Sequence, residues 1–130
     1  MRRSRPPERG AINKNAGEFT IQEYFEGKDP AVRKTYDKLL EALRRMGPVV
    51  AQPKKTSIHL VRKTAFAGVA TRKDHLLLTI KSDHRRTSPR VRNTEQVSAG
   101  TFHLEVKLLS PAEVDSELIS WLRESYELSA

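Results

Sequence analysis

The chain has no cysteine, which excludes disulfides and thiolate metal sites. No apolar run approaches the ~18 residues of a membrane span. The opening stretch MRRSRPPERGAINKN carries arginines with no apolar segment behind them, so no signal peptide is expected. Aromatic residues make up only 6% of the chain, and none falls between Phe66 and Phe102. A sheet that stacks nucleic-acid bases would carry aromatics on its central strands, so an RNA-recognition-type platform is not expected. A GxSxG elbow, a Walker loop, a GxGxxG turn and an HExxH helix are all missing. These absences leave catalysis, cofactors and membrane insertion without sequence support, and a reducing cytoplasm is the expected location.

What is present is enough for one folded unit. A length of 130 residues is that of a single domain, and folding at that size removes about two-thirds of the accessible surface. Residues 1–17 hold almost nothing to bury and read as a flexible basic N-terminal tail, and 18–130 read as a single α+β domain.

Periodicity supplies the elements. FTIQEYFEG (19–27) carries a capping box between Thr20 and Glu23, with Phe19 and Tyr24 placed as a staple. Asp29-Pro30 opens a helix whose Val32, Tyr36, Leu39, Leu40 and Leu43 share a face, and Gly47-Pro48 stops it. From Val49 the period becomes two. SIHLVRK, AFAGVAT, HLLLTIKS and TFHLEVKLL read as strands, with VVAQ (49–52) as a fifth. Leu76, Leu78 and Ile80 point one way, with Leu77, Thr79 and Lys81 on the other face. Phe102, Leu104, Val106 and Leu108 repeat the pattern, which favours an antiparallel sheet with one buried face. Ser110-Pro111-Ala112-Glu113 is a second capping box, followed by an apolar stripe of Val114, Leu118, Trp121, Leu122 and Tyr126. The expected architecture is α+β: an antiparallel sheet of four or five strands with amphipathic helices packed on one face. The 21 residues between Ile80 and Phe102 show little periodicity and read as one long loop, with Ser88-Pro89 starting a turn and Val91 and Val97 pinning it.

Charge is unevenly distributed within a net +8. Residues 54–92 hold eleven Lys/Arg against two Asp/Glu, and residues 93–130 hold two against seven. This asymmetry points to an anionic partner or to pairing between the two parts. The stretch HRRTSPRVR (84–92) concentrates Arg85, Arg86, Arg90 and Arg92, whose planar guanidinium forks suit phosphate or carboxylate. With Lys55, Arg72, Lys73 and Lys81 they form the expected anion-binding set, for nucleic acid or another phosphate-bearing partner. Contact between the basic loop and the acidic region 113–127, within one molecule or in a homodimer, is the alternative. A third possibility is a small-molecule or enzymatic site on the polar sheet face around His59, Lys81 and His103. His103 and Glu105 share a strand face as a two-ligand pattern, but nothing fixes a third ligand, so no metal is expected. Asp74 and Asp83 read as turn residues and Gly68 as a packing or bulge glycine.

The blocks YFEGKDPAVRKTYDKLLEAL, KKTSIHLVRKTAFAGV, RKDHLLLTIKSD, SPRVRNTEQVS, FHLEVKLLS and WLRESYELS, in this order and spacing, resemble a family of mostly bacterial domains of unknown function. Some of its members carry the label "predicted transport protein". The likeness covers residues 19–130. It implies a small α+β domain found alone or attached to other modules, some nuclease-like, and it carries over no catalytic residue. Members often have a cysteine-containing N-terminal stretch that looks metal-binding; this chain lacks it.

Overall fold

The computed structural model describes residues 20–130. The tail assigned to residues 1–17, and Phe19 of the staple, lie outside them. Thr20 and Glu23 form the capping box in both directions, Thr20 N–H donating to Glu23 Oε1 at 2.9 Å and Glu23 N–H to Thr20 Oγ1 at 3.3 Å. The turn they start is a short 3₁₀ helix, Gln22–Phe25. Helix α1 spans Pro30–Arg44 and buries Val32, Thr35, Tyr36, Leu39 and Leu43. Its Asp29 makes no side-chain cap; the Asp29 N–H instead donates to Lys73 O at 2.8 Å, tying the helix entry to the sheet.

The strands are β1 (Val50–Pro53), β2 (Ile58–Val61), β3 (Ala65–Thr71), β4 (Leu76–Ser82), β5 (Val91–Ser98) and β6 (Thr101–Leu108). They form one antiparallel sheet in the order β1-β2-β3-β4-β6-β5. The sheet therefore has six strands, not four or five. The extra one is β5, which lies inside the stretch expected to be a loop. As an edge strand it pairs with β6 alone, and only Val91 and Thr94 are half-buried, so no apolar alternation marks it. Val97 is 45% exposed and pins nothing.

Helix α2 spans Ser116–Leu128. The helix does not start at Pro111: Pro111–Glu113 is a 3₁₀ turn, and Glu113 accepts from the Leu109 N–H rather than from Ser110. The working N-cap is Asp115, which accepts from the Leu118 N–H at 3.0 Å.

Both helices bury their stripes on one face of the sheet. Ile58, Leu60, Val69, Leu76, Leu78, Ile80, Leu104, Val106 and Leu108 are buried there with Leu39, Leu43, Leu118, Leu122 and Tyr126. A bulge assists. Leu60 pairs with Ala67 and Val61 with Ala65, so Phe66 is the extra β3 residue and turns inward. It meets the Tyr126 ring edge-on at 5.3 Å, while Ser125 Oγ donates to Phe66 O at 2.6 Å. Tyr126 OH donates to Pro48 O at 3.0 Å beside Gly47, whose φ is +150°. A side chain at Gly47 would collide with the Tyr126 hydroxyl.

Residues 83–90 link β4 to β5. Both strands are antiparallel to β6 and hence parallel to each other, so this segment must run the length of the sheet past β6. It does so as a strap against α2. Arg86 stacks over Trp121 at 4.9 Å and pairs with Glu124 at 2.9 Å. Arg90 reaches Asp115 at 2.9 Å, Glu117 at 3.0 Å and the Glu113 carbonyl at 2.7 Å. Asp115 thus caps α2 and anchors the strap. The Leu118 N–H first, and then the Arg90 hydrogen bond, hold its carboxyl below the ordinary carboxylate range. A lowered folded-state pKa gives stability that is full above the unfolded value and lost as pH falls through the folded one.

Three outcomes are expected. Asn caps as well as Asp, so Asp115→Asn isolates the charge. In urea melts its deficit against wild type is constant above about pH 5 and shrinks as pH falls below about 4. Asp115→Ala also loses the cap and costs about 1–2 kcal/mol at neutral pH. Gly47→Ala costs about 1–3 kcal/mol, because alanine must adopt a backbone conformation that suits glycine and also displace Tyr126. A melt indistinguishable from wild type would contradict that assignment.

Candidate functional site

The face of the sheet turned away from the helices carries a regular array set by register. His59 on β2 lies opposite Gly68 on β3, Gly68 opposite Thr79 on β4, and Thr79 opposite Glu105 on β6. One row further on, Lys81 faces His103, and His103 faces Glu95 on β5. On β3 the residues here are small: Ala65, Gly68 and Ala70. They leave a trough of about 240 Å³, lined also by Ser57, His59, Thr79, Lys81 and His103. Gly68 does not serve a turn or the bulge. A Cβ there would meet nothing nearer than Ile58 O at 3.9 Å, so the glycine keeps space open.

No carboxylate lines the trough. Glu105 points its carboxylate at Arg92, 3.5 Å away. Lys81 makes no ion pair among the described residues. His75 and His84 are each tied to the preceding aspartate at 2.7 Å, Asp74 and Asp83 respectively, whereas His59 and His103 have no side-chain hydrogen bond among the described residues. Those hydrogen bonds hold both aspartates below the ordinary carboxylate range. His59, Lys81 and His103 thus converge on one hollow with their donors uncommitted. Among the described residues no group of three or more His, Cys, Asp or Glu is placed to hold a metal.

The eight cations expected to act together are dispersed over four places. Lys55 lies in the β1–β2 turn, and Arg72 and Lys73 in the β3–β4 turn; β1 and β3 run the same way, so both turns share one end of the sheet. Lys81 stands on the open face. Arg85, Arg86 and Arg90 lie on the strap on the helix side, and Arg92 on edge strand β5. Arg86, Arg90 and Arg92 are paired with carboxylates, and Arg85 packs over the Phe102 ring at 5.0 Å. The basic loop does meet the acidic region 113–127, within one molecule. A second hollow, of about 260 Å³, lies beside Arg86 between Trp121, Leu128 and Ile80. Its lining carries Asp83, Glu124 and Glu127 together with Lys81, and the Arg86 Nε is buried with no partner among the described residues.

Sequence reasoning weighed Ser57 with His59 and Lys81 only as a hydrolytic set and rejected it, and it passed over Thr79 and the small residues of β3 as parts of a site. Alternation did place Thr79 on the face of Lys81. The trough itself is an absence of side chains on a central strand, and only the register of β2, β3, β4 and β6 turns that absence into a hollow.

No curated protein and no solved structure matches the chain. A family described as a domain of unknown function, DUF5655, matches residues 21–129, from the first 3₁₀ turn to the residue after α2. That span takes in every strand and both helices, and the chain belongs to the DUF5655 family.

Proposed function

We propose that this domain is a binding module, not an enzyme, and that it captures an anionic group in the trough on the open face of the sheet. One observation carries the reading. Lys81 and His103 are direct cross-strand neighbours on the wall of a hollow that no carboxylate lines. Cross-strand partners hold their Cβ atoms ~5 Å apart, close enough for both heads to reach one phosphate or carboxylate. Thr79 adds a hydroxyl donor on the same face. Binding is favoured over acid–base chemistry because neither histidine is oriented by a third group, the arrangement that activates a general base.

A second reading, nucleic-acid binding, draws on a separate feature. Lys54-Lys55 and Arg72-Lys73 are exposed on the two turns at one end of the sheet. With no aromatic platform such binding would run through the phosphate backbone, and four contacts give a log–log salt slope of about −3.6.

Calorimetric titration separates the two. Inorganic phosphate at low ionic strength is expected to bind wild type and the control Arg85→Ala alike, and Lys81→Ala about tenfold or more weakly. Equal affinity in Lys81→Ala contradicts the trough. Duplex DNA binding that follows the steep salt slope and survives Lys81→Ala establishes the second reading instead.

A further inference from the structure

We infer that the ligand of the trough is a phosphate monoester with a short apolar body that ends in a hydrogen-bonding group. This rests on the anion-binding reading above and adds what lies beyond the anion. The trough has two chemically different ends. At one, Lys81, His103 and Thr79 present three kinds of donor, which matches the three terminal oxygens of a phosphate monoester better than the two of a carboxylate. At the other stand His59 and Ser57. Lys81 on β4 and His59 on β2 are two strands and one row apart, about 12 Å between Cα atoms at ordinary strand spacing. A lone phosphate therefore occupies one end only.

Between the ends the floor is apolar. Ala65, Gly68 and Ala70 offer no polar side-chain atom; in the ladder Ala65 pairs with β2, Ala70 with β4 and Gly68 with both. A body laid over this floor gains by burying methylene groups and gains nothing from polar atoms along its middle. At the far end the His59 ring, free of side-chain hydrogen bonds among the described residues, accepts from or donates to a terminal hydroxyl.

Gly68 is the pivot of the test. Its φ lies outside the region reserved for glycine and a Cβ there meets nothing closer than 3.9 Å, so Gly68→Val fits the strand while filling the middle of the trough. Valine also favours a strand over glycine, so stability is kept or raised.

The probes are inorganic phosphate, ethyl phosphate, butyl phosphate and 4-hydroxybutyl phosphate, titrated into wild type, Gly68→Val, His59→Ala and Lys81→Ala. In wild type, affinity rises along the alkyl series by about threefold to fourfold per methylene, and the terminal hydroxyl adds roughly threefold more. Gly68→Val keeps Lys81-dependent binding of inorganic phosphate but loses the gain along the series. His59→Ala keeps the alkyl gain and loses only the hydroxyl increment. Lys81→Ala weakens every probe. A flat series in wild type, with phosphate still bound in a Lys81-dependent way, overturns this inference and leaves the anion site standing. Failure of wild type to bind inorganic phosphate at all overturns the anion site itself.

Discussion

A β-strand turns successive side chains to opposite faces, and in this domain helices cover only one of those faces. Every Leu, Ile and Phe at the inward positions of β2, β4 and β6 is buried under α1 and α2. The outward positions are released from packing and hold a mixed set: His59, Thr79, Lys81, His103, Glu105. Register then decides which of these meet. A slip of one residue between β4 and β6 would carry Lys81 away from His103 and put Leu104 into water. Core and candidate site are therefore two consequences of one pairing, and a shift of register disturbs both.

The arginines of HRRTSPRVR belong to a different task. A single strap must run from β4 to β5, and it lies along a helix whose surface is acidic at both ends. Arg86 flattens on Trp121 and Arg90 gathers two carboxylates and a carbonyl at the start of α2. Exposed ion pairs singly contribute little. Here they are joined by stacking on a side chain that is only 5% exposed, and by a carboxylate that already serves as helix cap. The positive and negative parts of the sequence meet across this contact through Arg86 and Arg90.

Much of the fold was legible because its signals are local and repetitive. The stripes of α1 and α2, and the alternation of β4 and β6, are enforced by burial on one side. Edge strand β5 was hidden for the complementary reason: paired on one side and half-buried at two positions only, it has no apolar period to display. The start of α2 was misplaced because Ser110-Pro111-Ala112-Glu113 satisfies the same capping rule as a true helix start, yet supports only a 3₁₀ turn before Asp115 caps the helix. His59, Lys81 and His103 were recognisable as sharing a face, but not as sharing a hollow. That depends on Gly68 and its small neighbours lying between them, a relation across four strands that no sequence window contains.

The central claim is that the open face, not the arginine strap, receives the ligand. The most direct measurement is an amide chemical-shift map recorded while butyl phosphate is titrated into the ¹⁵N-labelled chain. The account predicts saturable shifts concentrated at His59, Gly68, Thr79, Lys81 and His103, with residues 83–90 unmoved. Shifts centred on Arg85, Arg86 and Arg90, or on the turns at Lys55 and Arg72, would contradict it.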